Sequence, residues 1–215
     1  ERKIIVLPNA ADPDTFKPLA PKSQLRNKYN LNQKKVIGFV GGFYPWHGLD
    51  FLLDCFEEVK KGIPYAHLLL IGDGPVKETL KAEAARRNLE SEVSFLGAIS
   101  HRELPEYIAC FDVAVMPDSN EYGSPMKIYE YMAMGKPVIA PRLGPLEDGI
   151  TNRREGIIFT QRDKNELVMA LKELLSNDHL REQMSKAARE NIVNNHSWKK
   201  NAEKIIILYQ TIVNL

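Results

Sequence analysis

The feature that most constrains this chain is a repeated alternation. Short uninterrupted apolar runs are each followed by a longer segment with apolar residues at helical spacing. Strands that are apolar at every position are buried on both faces, and such strands belong to parallel sheets covered by helices. The runs are Val36-Ile37-Gly38-Phe39-Val40, His67-Leu68-Leu69-Leu70-Ile71, Val93-Ser94-Phe95-Leu96, Val113-Ala114-Val115-Met116, Val138-Ile139-Ala140 and Gly156-Ile157-Ile158-Phe159. Ile4-Ile5-Val6-Leu7 reads as one more strand, closed by Pro8-Asn9, and the proline-rich residues 12–21 read as an extended connection. Helices are predicted near 23–29, over 48–60 (Leu49, Leu52, Leu53, Phe56 and Val59 on one face), 76–88 and 101–109, with a short turn of helix at 145–149. Beyond Asp163 the pattern is wholly helical, with segments at 163–176, 178–194 and 198–213. The expected fold class is α/β: a Rossmann-like parallel sheet with helices on both faces, plus a C-terminal helical segment over 163–215.

Composition narrows the partners. Twenty-nine Lys and Arg against 28 Asp and Glu leave a formal charge of +1, which gives no support for nucleic acid as a ligand. No apolar run approaches the ~20 residues that span a bilayer, and the opening Glu1-Arg2-Lys3 does not read as a leader. Cys55 and Cys110 lack metal-ligand spacing and are expected as buried thiols of a reducing, cytoplasmic compartment.

Ligands of parallel α/β sheets sit outside the carboxyl ends of the strands. All five loops there contain glycine: 41–48, 72–75, 97–100, 117–124 (Gly123) and 141–145 (Gly144). After the run Val113 to Met116 comes Ser124-Pro125-Met126-Lys127-Ile128-Tyr129-Glu130-Tyr131-Met132-Ala133-Met134-Gly135-Lys136-Pro137. Ser124 is expected to cap a helix, Pro125 to occupy its first position, and Gly135 to end it in the left-handed conformation. Lys127 and Glu130 then share a face. A cation in the first turn opposes the helix dipole unless an anion binds at that end. A solvated ion pair is the plain reading. A diphosphate held by Lys127 and the N–H groups of Met126 and Lys127, with a ribose diol on Glu130, is the functional one. Gly97-Ala98-Ile99 is suited to framing a base with backbone groups. His47 can face a phosphate or a sugar, or simply occupy a turn; Trp46 reads as packing. His67, His101, His179 and His196 have no mutual metal spacing and read as structural or exposed. Neither a dinucleotide fingerprint, a Walker A loop nor a nucleophile elbow is present.

Six segments in order carry a resemblance: Ile5 to Asp12 with Phe16, Val40 to Gly48, Leu70-Ile71-Gly72-Asp73-Gly74-Pro75, Val93 to Gly97, Asp112 to Pro117, and Ser124 to Ile139. Together they resemble the C-terminal, donor-binding domain of GT-B glycosyltransferases, specifically the retaining family 4 group (glycosyl transferases group 1). The resemblance implies transfer of a sugar from a nucleotide-sugar, such as a UDP- or GDP-sugar, with retention and with no metal or other cofactor. It implies Gly41, Gly42, Gly74, Ala98, Ile99, Ser124, Met126, Lys127 and Glu130 as donor-binding residues, with Glu121 and His47 as catalytic candidates. Two stretches depart from the commonest family pattern: in the first glycine loop Gly42 and His47 stand where Arg and Lys are usual, and before Glu130 Tyr122 replaces an acidic residue, with Glu121 one position away. Lys127 can supply the missing phosphate charge. The resemblance also implies an N-terminal acceptor domain outside these 215 residues, so the chain is expected to be a single donor-binding domain and a fragment. For the full protein it implies peripheral association with the cytoplasmic face of a membrane. The alternatives are a sugar-nucleotide epimerase of related fold and a non-catalytic nucleotide-binding module.

Overall fold

In a computed structural model, residues 4–213 are described. Six parallel strands form one sheet in the order β3-β2-β1-β4-β5-β6. They are β1 (Lys35–Val40), β2 (Ala66–Ile71), β3 (Val93–Phe95), β4 (Val113–Val115), β5 (Val138–Pro141) and β6 (Gly156–Phe159). The helices are α1 (Ser23–Lys28), α2 (Leu49–Gly62), α3 (Lys77–Arg86), α4 (Leu104–Ile108), α5 (Met126–Ala133), α6 (Gly144–Glu147), α7 (Lys164–Ser176), α8 (Asp178–Asn195) and α9 (Trp198–Val213). Every residue of β2, β4, β5 and β6 is buried, which is why these runs show no alternation. The predicted α/β architecture and its C-terminal helices are thus present.

The order reverses direction at β1. The chain winds from β1 through β2 to β3 on one side, then returns to place β4 against the other side of β1. That reversal opens a crevice between β1 and β4 at their carboxyl ends. Their pairing runs Ile37 to Val113 and Gly38 to Ala114, leaving the end of β1 free of β4. The backbone there finds another partner: the Val40 N–H donates to the Tyr131 hydroxyl of α5 at 2.6 Å. One buried side chain therefore ties α5 to the crevice.

The helices start and stop for local reasons. Asp163 caps α7 by accepting from the Glu166 N–H (2.9 Å), and Asn177 caps α8 by accepting from the Leu180 N–H (2.9 Å). α5 ends in a Schellman pair, Lys136 N–H to the Tyr131 carbonyl and Gly135 N–H to that of Met132, both 2.9 Å, with Gly135 at φ 65°.

Three expectations need correction. Ile4-Ile5-Val6-Leu7 is not a strand: Ile4 and Val6 are 79% and 75% exposed, and no described sheet edge pairs with them. Only Ala11, further on, makes an isolated bridge, to Ser197. The helix predicted over 101–109 shrinks to Leu104–Ile108, because 101–103 form a turn that aims His101 elsewhere. At α5, Pro125 stands at the cap itself, with no side-chain bond, and Ser124 lies one residue outside the helix. The Ser124 carbonyl instead accepts from the Asn9 side-chain amide.

Candidate functional site

The loops after β1, β2 and β3 are laced by backbone bonds. Gly41 N–H donates to the Ile71 carbonyl (2.9 Å), Gly72 N–H to that of Gly97 (2.8 Å), and Phe43 N–H to that of Asp73 (2.8 Å). Such approach leaves no room for a Cβ at two positions. One on Gly72, at φ 140°, would lie 1.9 Å from the Gly41 carbonyl oxygen. One on Gly74 would lie 2.5 to 2.8 Å from the Phe43 backbone. The glycines thus bring three strand ends together and leave backbone facing a cleft. The cleft measures about 300 Å³ and is lined by Gly41, Gly42, Asp73, Ala98, Ile99 and Leu104, among others. Four predicted residues, Gly41, Gly42, Ala98 and Ile99, are here. Gly74 packs these loops from behind and does not line the cleft.

Lys127 points from the first turn of α5 onto the same loop. Its ammonium sits over the Phe39 ring, 4.4 Å from the centroid, and against Gly41, where a Cβ would come within 2.3 Å of Nζ. Nζ is buried and has no hydrogen-bond partner among the described residues. Burial pulls its pKa from 10.5 down to about 7, with Glu130 pulling the other way. A buried unpartnered ammonium is costly in itself. Beside it, the first bonded amide around the start of α5 is that of Ile128, to the Pro125 carbonyl at 3.2 Å. The N–H groups of Met126 and Lys127 precede it, unpaired as first-turn donors are. The cation, the helix dipole and the free amides all belong to the start of α5, and an anion bound there would satisfy them.

His47 ends the 3-10 turn Pro45–His47, held between the rings of Phe39, Tyr44 and Trp46. Its Nδ1 bonds the Gly42 carbonyl, so Nδ1 carries the proton and Nε2 is left for a ligand. Burial, reinforced by the Lys127 charge, lowers its pKa. His47 is therefore half-buried and fixed by the glycine loop, rather than a free turn residue. Trp46 is half-exposed and stacks on Tyr44 at 4.6 Å, so its packing is at the surface.

Glu130 is 9% exposed, one turn deeper on α5, and His101 Nε2 lies 2.8 Å from its Oε1. The sequence reading placed His101 among structural or exposed histidines and missed this contact. Its only signal was position, two residues after Ile99. Glu121 lies exposed on the loop 117–125 and makes no hydrogen bond or ion pair with the described residues. Ser124 and Met126 flank the start of α5, Met126 half-exposed. That loop is anchored at its base, where buried Asp118 pairs with Arg162, accepts from Gln161 Nε2 (2.6 Å) and sits against Gly48. Asp118 also escaped the sequence reading. Among the described residues no group of three His, Cys, Asp or Glu is placed to hold a metal ion, and no helix is long and apolar enough to cross a membrane.

A glycine-lined cleft at the switch point of a parallel sheet, beside a helix start that carries a buried cation, is the arrangement in which α/β domains of this class hold their ligands. The family follows from comparison with known proteins. Residues 21–191 match the family described as Glycosyl transferases group 1, and the chain belongs to that family. It is similar to the GDP-mannose-dependent alpha-(1-6)-phosphatidylinositol monomannoside mannosyltransferase of Mycobacterium tuberculosis, 28% identical over 206 residues, covering 93% of this chain and 54% of that protein. It is also similar to the alpha-D-kanosaminyltransferase of Streptomyces kanamyceticus, 24% identical over 193 residues, covering 90% and 50%. Among solved structures, Anabaena HepE in complex with UDP superposes with a TM-score of 0.84 at 22% identity, over 96% of this chain and 56% of that one. The C-terminal domain of a group 1 family protein from Francisella tularensis superposes with a TM-score of 0.79 at 20% identity, over 88% of this chain and 100% of that one. The chain spans about half the length of the curated relatives it matches.

Proposed function

We propose that this chain is the donor-binding half of a retaining, family 4 glycosyltransferase that moves a sugar from a nucleotide-sugar to an acceptor such as a glycan or lipid-linked sugar. The observation that carries the reading is Lys127, whose buried ammonium has no hydrogen-bond partner among the described residues where the start of α5 meets the first glycine loop. In this reading the donor diphosphate lies against Lys127 and the free amides of Met126 and Lys127. The ribose diol binds Glu130, and Gly97, Ala98 and Ile99 frame the base. Sugar transfer releases a nucleoside diphosphate, so negative charge grows on the leaving phosphate as the glycosidic bond breaks. Lys127 and the helix start take up that charge without a metal ion, and His47 faces the same phosphate or the sugar. Glu121, exposed on the loop that precedes α5, is the acidic candidate to approach the donor sugar. The UDP in the Anabaena structure and the GDP-mannose in the mycobacterial enzyme's name both support a nucleotide-sugar, without choosing the base. The acceptor belongs to the part of the protein outside this chain.

The test is calorimetric titration of this chain with UDP, GDP and ADP, beside Glu130→Ala. One nucleotide is expected to saturate and to lose at least tenfold in affinity in the variant, the size of a lost charge-assisted pair of hydrogen bonds at about 1.5–3 kcal/mol. No sugar transfer is expected from this chain alone. Unchanged binding by the variant, or turnover without the remaining half, overturns the reading.

A further inference from the structure

Glu130 is held from outside its own helix. Among the described residues, the side chain bonded to its carboxylate is His101, with Nε2 2.8 Å from Oε1. A carboxylate only accepts, so Nε2 carries the proton. His101 comes from the loop after β3 whose Ala98 and Ile99 line the cleft, and its imidazole backs onto the buried Phe16 ring at a centroid distance of 5.0 Å. The imidazole is thus fixed on one side by an aromatic and on the other by the carboxylate. No described residue bonds Oε2 of Glu130. Each carboxylate oxygen has two lone pairs, so Oε1 can accept from His101 and still take one hydroxyl proton while Oε2 takes another.

The His101 side chain is 66% exposed while that of Glu130 is 12% exposed, and a contact open to solvent on the histidine side adds little to folding. What it does supply is orientation. A glutamate has three rotatable bonds, and a ligand that must freeze them loses affinity in doing so. We infer that His101 is a positioning residue, fixing the Glu130 carboxylate in the rotation that presents both oxygens to a ribose 2′,3′-diol. The inference rests on the reading of Glu130 as the ribose acceptor. It makes the loop after β3 a contributor to ribose recognition as well as to base framing, with His101 acting on the ribose only through the carboxylate.

The experiment compares each nucleotide that binds (UDP, GDP or ADP) with its 2′,3′-dideoxy counterpart, on the unaltered chain, His101→Ala, His101→Gln and Glu130→Ala. Gln keeps an N–H near the place of Nε2. His101→Ala is expected to weaken the ribonucleotide about fivefold and to leave the dideoxy compound unchanged, with His101→Gln within about twofold of the unaltered chain. Equal weakening of both compounds shows a general structural role and overturns the inference, as does unchanged ribonucleotide binding. If Glu130→Ala leaves ribonucleotide binding intact, or no nucleotide saturates, the reading of Glu130 falls first and the inference with it. A normal loss in Glu130→Ala with no effect of His101→Ala sinks the inference alone.

Discussion

Replacing Lys127 with methionine is expected to stabilise the ligand-free chain while destroying nucleotide binding. The ammonium is buried, without a hydrogen bond, and its pKa falls from 10.5 to about 7. At about 1.36 kcal/mol per pH unit, that fall corresponds to roughly 5 kcal/mol of destabilisation at neutral pH. The attraction to the Phe39 ring, about 1–2 kcal/mol, is lost with the charge. Methionine fills the same space without the charge, leaving a net gain of about 3 kcal/mol, or roughly 6–12 °C in Tm for a domain of this size. The gain has a pH signature. Between pH 7 and 10.5 the unfolded chain holds the Lys127 proton and the folded chain has released it. The unfolded state binds more protons there, so the stability of the unaltered chain rises with pH across that window. The variant lacks this rise, and the gap between them shrinks by about 2–3 kcal/mol from pH 7 to 9. Lys136, lowered by burial to about 8, titrates in both proteins and cancels. Urea unfolding at pH 7, 8 and 9 measures the gap. A gap of zero at pH 7, or one that does not narrow with pH, refutes the account of Lys127.

Two further outcomes follow from packing. Gly72→Ala sets a Cβ against the Gly41 carbonyl, a backbone atom that cannot swing away, at a positive φ. It is expected to cost about 3 kcal/mol and to weaken nucleotide binding, whereas Gly144→Ala, with open space around its Cβ, serves as the neutral comparison in the same denaturation series. The two free cysteines are buried, and burial pushes the Cys55 thiol up to about 12 and raises that of Cys110. A thiol reagent at pH 8 is expected to label neither in the folded chain and both in urea; rapid labelling of the folded chain contradicts this.

Much of the fold was legible because burial writes itself into runs. Val36 to Val40 and Leu68 to Ile71 are apolar throughout and each is followed by a helical segment, so their strand identity and parallel pairing followed from that alternation. The start of α9 was read correctly at Trp198. Ile4 to Leu7 carries the same apolar signal and is not a strand, because a strand needs a neighbour and local sequence does not say whether one is available. The site shows the same division. Lys127 and Glu130 declared themselves by being one turn apart on a helix with a marked end, and the glycine loops by their place after strands. His101 did not, because its partner lies 29 residues away and meets it only after the sheet is wound. Asp118 was hidden likewise: Arg162 and Gln161 reach it from beyond β6.

The bridge between Ala11 and Ser197 has a mechanical meaning. The two segments run parallel, joined by Ala11 N–H to the His196 carbonyl (3.1 Å) and Trp198 N–H to the Ala11 carbonyl (3.2 Å). Asn201 adds a bond to the Pro8 carbonyl at 2.8 Å, and Arg189 grips the carbonyls of Pro13 and Phe16 behind it. Tension drawn through the segment before Ala11 and through α9 pulls a parallel pair lengthwise in opposite directions, so these bonds are sheared together instead of peeling one after another. The sheet and its cleft are shielded from a tug on either end until that clasp gives way.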